Sequence, residues 1–145
     1  MSGKFKLQSV LNYRQSLEDQ AQQALAASLQ QRGELESRLE RERVNLQRHD
    51  AELKRRQREG LMIAEIDLFE AQIQHCRKLM DELRGHLRHL EHKIAAQREE
   101  LYEAARDRQI MEKLKDKQEA EYRRELDRRE RVMLDEISLR IKGDG

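Results

Sequence analysis

IDLFEAQIQHCRKLMDELRGHLRHLEHKIAAQREELYEA, residues 66–104, decides the fold of this chain. Within it Ile66, Phe69, Ile73, Cys76, Met80, Leu83, Leu87, Leu90, Ile94, Gln97, Leu101 and Ala104 follow one another at alternating steps of three and four. Side chains spaced in this way stay on one helical face, so the run is the seam of a coiled coil with one polar interruption, Gln97. Upstream, Leu11, Leu25, Leu39, Leu46 and Leu53 share one heptad position, with Glu18 and Arg32 filling the gaps. Leu7, Ala21, Ser28 and Leu35 hold the complementary position, and this first seam is narrower and weaker than the second.

Between the two seams, after the basic run Lys54, Arg55 and Arg56, come Arg58, Glu59, Gly60 and Leu61. Gly60 is the only well-placed helix stop in the middle of the chain, and it marks the tip of a helical hairpin. In an antiparallel pair the first core position of one heptad faces the second core position of the other. Residue numbers adding to about 122 satisfy this along the pair: Leu53 meets Phe69, Leu46 meets Cys76, Leu39 meets Leu83, Ser28 meets Ile94 and Leu11 meets Met111. A register one heptad away, near 129, also keeps the seams together. Under either, the first helix ends opposite residues 118–125, which leaves a paired shaft of roughly 80 Å with about 20 to 28 residues projecting beyond it.

Composition agrees. The 145 residues include no proline and no tryptophan, 41% are charged and 3% are aromatic, too few bulky side chains for a globular core. Disorder is the competing reading at this hydropathy, and the regular apolar period argues against it, because disordered polar tracts carry none. The chain is therefore expected to be all-α: a long antiparallel two-helix coiled-coil hairpin over residues 1–145, with the C-terminal helix overhanging. Its helices are placed at about 4–58 and 64–141, and its tip at about 59–63. Gly33 and Gly85 fall nearly opposite each other, as a soft point of the shaft or as two tolerated surface glycines.

Thirty basic and twenty-nine acidic residues nearly cancel, so no overall field draws nucleic acid or an anionic membrane. There is no apolar run of membrane-spanning length, and the opening MSGKFKLQSVLNYR lacks the core of a signal peptide. A cytoplasmic protein without direct membrane insertion is expected. No GxxxxGK[ST], GxGxxG or GxSxG occurs, so nothing cradles a phosphate or displays a nucleophile. The chain reads as non-catalytic, with no cofactor and no metal. His86, His89 and His92 step by three around the outside of a helix instead of converging. His49 sits at a polar layer of the seam, and Cys76, the single cysteine, is a packed thiol on it.

The overhang carries the functional signal. Leu126, Met133, Leu134, Ile137 and Ile141 form an apolar stripe after Tyr122, crowded by Arg123, Arg124, Arg128, Arg129 and Arg131 with Glu121, Glu125, Asp127 and Glu130 among them. An unpaired helix with such a stripe calls for another protein, or for a second copy of the chain.

Both ends of the chain also resemble a known family. Phe5, Leu7, Val10, Leu11, Tyr13, Arg14, Leu17, Glu18, Ala21 and Ala24 resemble the start of the FliJ family of bacterial flagellar export proteins. Arg98, Glu99, Leu101, Ala104, Arg106, Lys113, Leu114, Lys117, Tyr122, Glu130, Leu134, Asp135 and Glu136 resemble its end, and EKLKDKQEAEYRRELDRRE followed by LDE looks like the family's C-terminal signature. The resemblance implies a fold similar to the central stalk of rotary ATPases and a non-catalytic role in flagellum biogenesis and type III protein export. The implied partners are the hexameric flagellar export ATPase, the cytoplasmic domain of the membrane export gate, and export chaperones. The chain is then a monomer in isolation, held at the cytoplasmic face of the inner membrane through the export apparatus. Ring contact is expected at Leu11, Arg14, Glu18, Leu114, Lys117, Tyr122, Arg124, Glu130, Leu134 and Glu136. Gate contact is expected at Phe69, Gln72, Ile73, Cys76, Leu79 and Leu83, although Gln72 stands where the family usually has a bulky residue. The equivalent stalk of a virulence-type injectisome and a generic homodimeric coiled coil are the alternative readings.

Overall fold

The computed structural model describes residues 6–144. Two helices account for nearly all of them: α1, Gln8–Glu59, and α2, Ile63–Asp144, packed against each other as an all-α two-helix hairpin. The expected start of the first helix near residue 4 lies outside the described residues. The chain divides into two units, one of residues 22–99 and one of residues 1–21 with 100–145.

The unit of residues 22–99 contains the tip. Gly60 follows the last residue of α1 and has φ 93°, the only positive φ among the described residues. A side chain there meets backbone strain that glycine does not, which is why the helix ends at this point. Arg56 and Arg58 lie in the last turn of α1, where cations suit the exposed carbonyls. Across the turn, the Met62 carbonyl accepts hydrogen bonds from the backbone N–H groups of Glu65 and Ile66 at 3.0 and 3.1 Å, which starts α2.

Below the tip the seam closes as its spacing dictates. Ile73, Cys76, Met80, Leu83, Leu90 and Ile94 of α2 are buried, while from α1 only Leu53 and Ser28 in this unit are. Leu25, Leu35, Leu39 and Leu46 are half-buried, so α1 does supply the weaker half of the seam. Ser28 and Ile94, facing layers in the register near 122, are 3% and 1% exposed, a small residue making room for a branched one. Arg32 reaches Glu91 at 3.3 Å and Arg56 lies 5.7 Å from the centre of the Phe69 ring. The Arg32–Glu91 pair stands close to the register near 122 and away from 129. Gln97 Oε1 is buried without a hydrogen-bond partner, the cost of the polar interruption.

The other unit has a thinner core. Leu11 is its only buried apolar side chain among the described residues, and Leu17, Ala21, Leu101, Ala104 and Met111 are half-buried. Ion pairs take the place of apolar layers here. Arg14 meets Asp107 at 3.5 Å, and Arg108 donates both to Glu18 across the pair and to Glu112 on its own helix, the latter at 2.7 Å. Arg14–Asp107 repeats the register near 122, and Arg108 reaches back to Glu18 from one turn beyond the facing position, Ala104.

Candidate partner-binding surfaces

The unit of residues 1–21 and 100–145 holds every residue expected at the ring. Leu11 is buried against α2, and Arg14 and Glu18 are half-buried and committed to Asp107 and Arg108. These three hold the two helices together. Tyr122 is half-buried, whereas Leu114, Lys117, Arg124, Glu130, Leu134 and Glu136 are exposed. From Leu126 to Gly143 every residue is exposed, including Val132, Met133, Leu134, Ile137, Leu139 and Ile141. Nothing among the described residues covers this end of α2.

The stripe on the bare end does not continue the seam. At about 100° per residue, the seam positions beyond Glu125 fall on Arg129, Val132, Glu136 and Leu139. Leu126 and Met133 lie about a quarter of a turn from that line, and Ile137 and Ile141 lie farther round, Ile141 on the opposite face. An extension of α1 would therefore leave them uncovered, and the stripe is shaped for a different helix or surface. Its charges are partly internal to the helix: Glu125 pairs with Arg128 and, at 3.4 Å, with Arg129. Arg123, Arg124, Arg131 and Arg140 have no ion-pair partner among the described residues.

The residues expected at the gate all fall in the unit of residues 22–99. Ile73, Cys76 and Leu83 are buried in the seam, so their side chains are spent on α1. Phe69 is half-buried beneath Arg56, Leu79 is half-buried and Gln72 is exposed. Leu79 and Leu83 line a shallow groove of about 350 Å³ whose other wall is Arg38, Arg41, Glu42 and Asn45 of α1. That wall escapes sequence reasoning, because it joins residues about forty apart. Met62, Ile63 and Leu68 near the tip are strongly exposed as well.

Burial pushes the Cys76 thiol up from its ordinary pKa, and the Glu42 carboxylate adds to the shift by charge and hydrogen bonding. Such a thiol packs and does not react. His86, His89 and His92 are exposed on α2, and among the described residues no three His, Cys, Asp or Glu side chains are placed to hold a metal. No described helix is long and apolar enough to cross a membrane.

A family model described as the flagellar FliJ protein matches residues 3–143. The chain belongs to the FliJ family. It is thereby a component of flagellar protein export. No curated protein and no solved structure compared with it matches. The match takes in the resembling stretches Leu7–Ala24 and Arg98–Glu136 together with the hairpin between them. Phe5 lies within the match but outside the described residues.

Proposed function

We propose that this FliJ-family chain is a non-catalytic stalk of the flagellar export apparatus, which seats in the hexameric export ATPase, favours its assembly and activity, and links it to the membrane export gate. The observation that carries this reading is the bare end of α2, an arginine-rich helix with a stripe of large apolar side chains that α1 cannot cover. Binding energy is concentrated in such unpaired apolar and arginine side chains. In this reading Leu114, Lys117, Tyr122, Arg124, Glu130, Leu134 and Glu136 touch the ring, while Leu11, Arg14 and Glu18 hold the helices in the shape that enters it.

The gate contact belongs to the unit of residues 22–99. Phe69, Gln72 and Leu79 supply its accessible part, with Ile73, Cys76 and Leu83 fixing the helix beneath them. The chain works as a monomer on the cytoplasmic face of the inner membrane, and export chaperones are its third class of partner.

Reciprocal capture tests the assignment. The cognate ATPase and the gate's cytoplasmic domain are each offered to immobilised full-length chain, to Leu134→Asp/Ile137→Asp and to Gln72→Ala/Leu79→Asp. The reading requires the first variant to lose the ATPase alone and the second the gate domain alone. Loss of neither partner, or a tight homodimer through the α2 end, overturns it.

A further inference from the structure

In an antiparallel pair, side chains that flank the seam on one helix share a side with the equivalent flank of the other. Asp107 lies beside the seam of α2, and Arg14 reaches it from α1 at 3.5 Å, which marks one flank; Glu18 and Arg108, both at seam positions, pair between the helices. On the Arg14–Asp107 side, α1 places Val10, Tyr13 and Leu17, and α2 places Ile110 and Leu114. Val10 stands one turn from Arg14 toward the N-terminus, and because α2 runs the opposite way it stands beside Ile110 and Leu114. Val10, Tyr13, Ile110 and Leu114 are 36%, 59%, 50% and 44% exposed, and Leu17 is half-buried. Two-helix pairing needs none of them, since the seam is already filled by Leu11, Ala104 and Met111. Side chains this apolar, gathered on one side of two helices, form a groove for a third helix.

The charges name its occupant. Along the α2 rim of the groove, Arg106, Lys113 and Lys117 have no ion-pair partner among the described residues. Asp107 in the floor is spent on Arg14. At the other end Glu100 and Glu103 are exposed and likewise unpaired among the described residues. We infer that the flank formed by Val10, Tyr13, Leu17, Ile110 and Leu114 docks an amphipathic helix of another protein, acidic where it passes Lys113 and Lys117. An anionic membrane fits less well, because the surface is a furrow between two helices and Glu100 and Glu103 repel lipid phosphates. The inference goes beyond the ring reading, although Leu114 and Lys117 serve both, and its test contains no ATPase.

The probe is a fluorescein-labelled synthetic helix with leucines at heptad spacing and glutamates on its flanks, compared with the same peptide carrying lysines. Anisotropy with the full-length chain is expected to show the glutamate peptide binding at least tenfold more tightly. Tyr13→Ser/Ile110→Ser weakens binding tenfold or more with helix content unchanged by circular dichroism, and Arg106→Glu/Lys113→Glu reverses the preference. Equal affinity for both peptides, no binding, or binding indifferent to these substitutions overturns the inference. So does flank-dependent binding to phosphatidylglycerol vesicles in place of the peptide.

Discussion

Arg108 bridges the two helices, donating to Glu18 of α1 and to Glu112 of its own helix. Both carboxylates hold the guanidinium more firmly in its charged form. Glu18 and Arg108 are 14% and 23% exposed, more enclosed than the other cross-helix pairs, so this pair is screened less by water and salt.

Arg108→Ala is therefore expected to destabilise the pair, since it strands a half-buried carboxylate, and to do so by more than Glu18→Gln. Urea titrations followed by circular dichroism measure both. A double-variant cycle should give a favourable coupling that shrinks in high salt, and no coupling would show that the bridge contributes nothing.

The glycines are expected to part in sign. Gly60→Ala forces a Cβ into φ 93° and costs about 1 to 2 kcal/mol. Gly33→Ala meets no atom within 4 Å inside a helix and stabilises by up to about 1 kcal/mol. Melting temperatures of the two variants, one lowered and one raised, check this.

Ile94→Ala is predicted to cost about 2 to 4 kcal/mol, because Ile94 is the most buried side chain of the seam. Leu134→Ala, at a residue 64% exposed, should stay within about 0.5 kcal/mol in the isolated chain. Equal losses at both positions would mean that the end of α2 is covered in the free protein.

Cys76 should resist alkylation in the folded chain. Its pKa is raised, so the thiolate is scarcer than in the unfolded chain at any pH near the ordinary thiol range. The linked stability is fully present below the unfolded thiol pKa and is lost as pH rises toward the folded one. Iodoacetamide labelling with and without urea at pH 8 tests the first point, and rapid labelling without urea contradicts it.

The seam of α2 was legible because an apolar period of three and four survives any neighbour, and the turn was legible because Gly60 is isolated between two helical runs. The Glu18–Arg108 bridge was not. Glu18 reads as a gap in a leucine row, and its partner is specified only once the register is known. The groove of Val10, Tyr13, Leu17, Ile110 and Leu114 stayed hidden for the same reason, since its walls lie about a hundred residues apart in sequence. At the gate side the seam pattern did mark Ile73, Cys76 and Leu83, but one period cannot tell a side chain facing α1 from one facing a partner.

The most direct test of the stalk reading is the hydrolysis rate of the cognate export ATPase with the full-length chain and with a chain ending at Lys117, with both shown by sedimentation to be monomeric. Stimulation by the full-length monomer that disappears in the shortened chain is the predicted result. An unchanged rate with the full-length chain, or equal stimulation by both, would contradict a stalk that engages its ring through the bare end of α2.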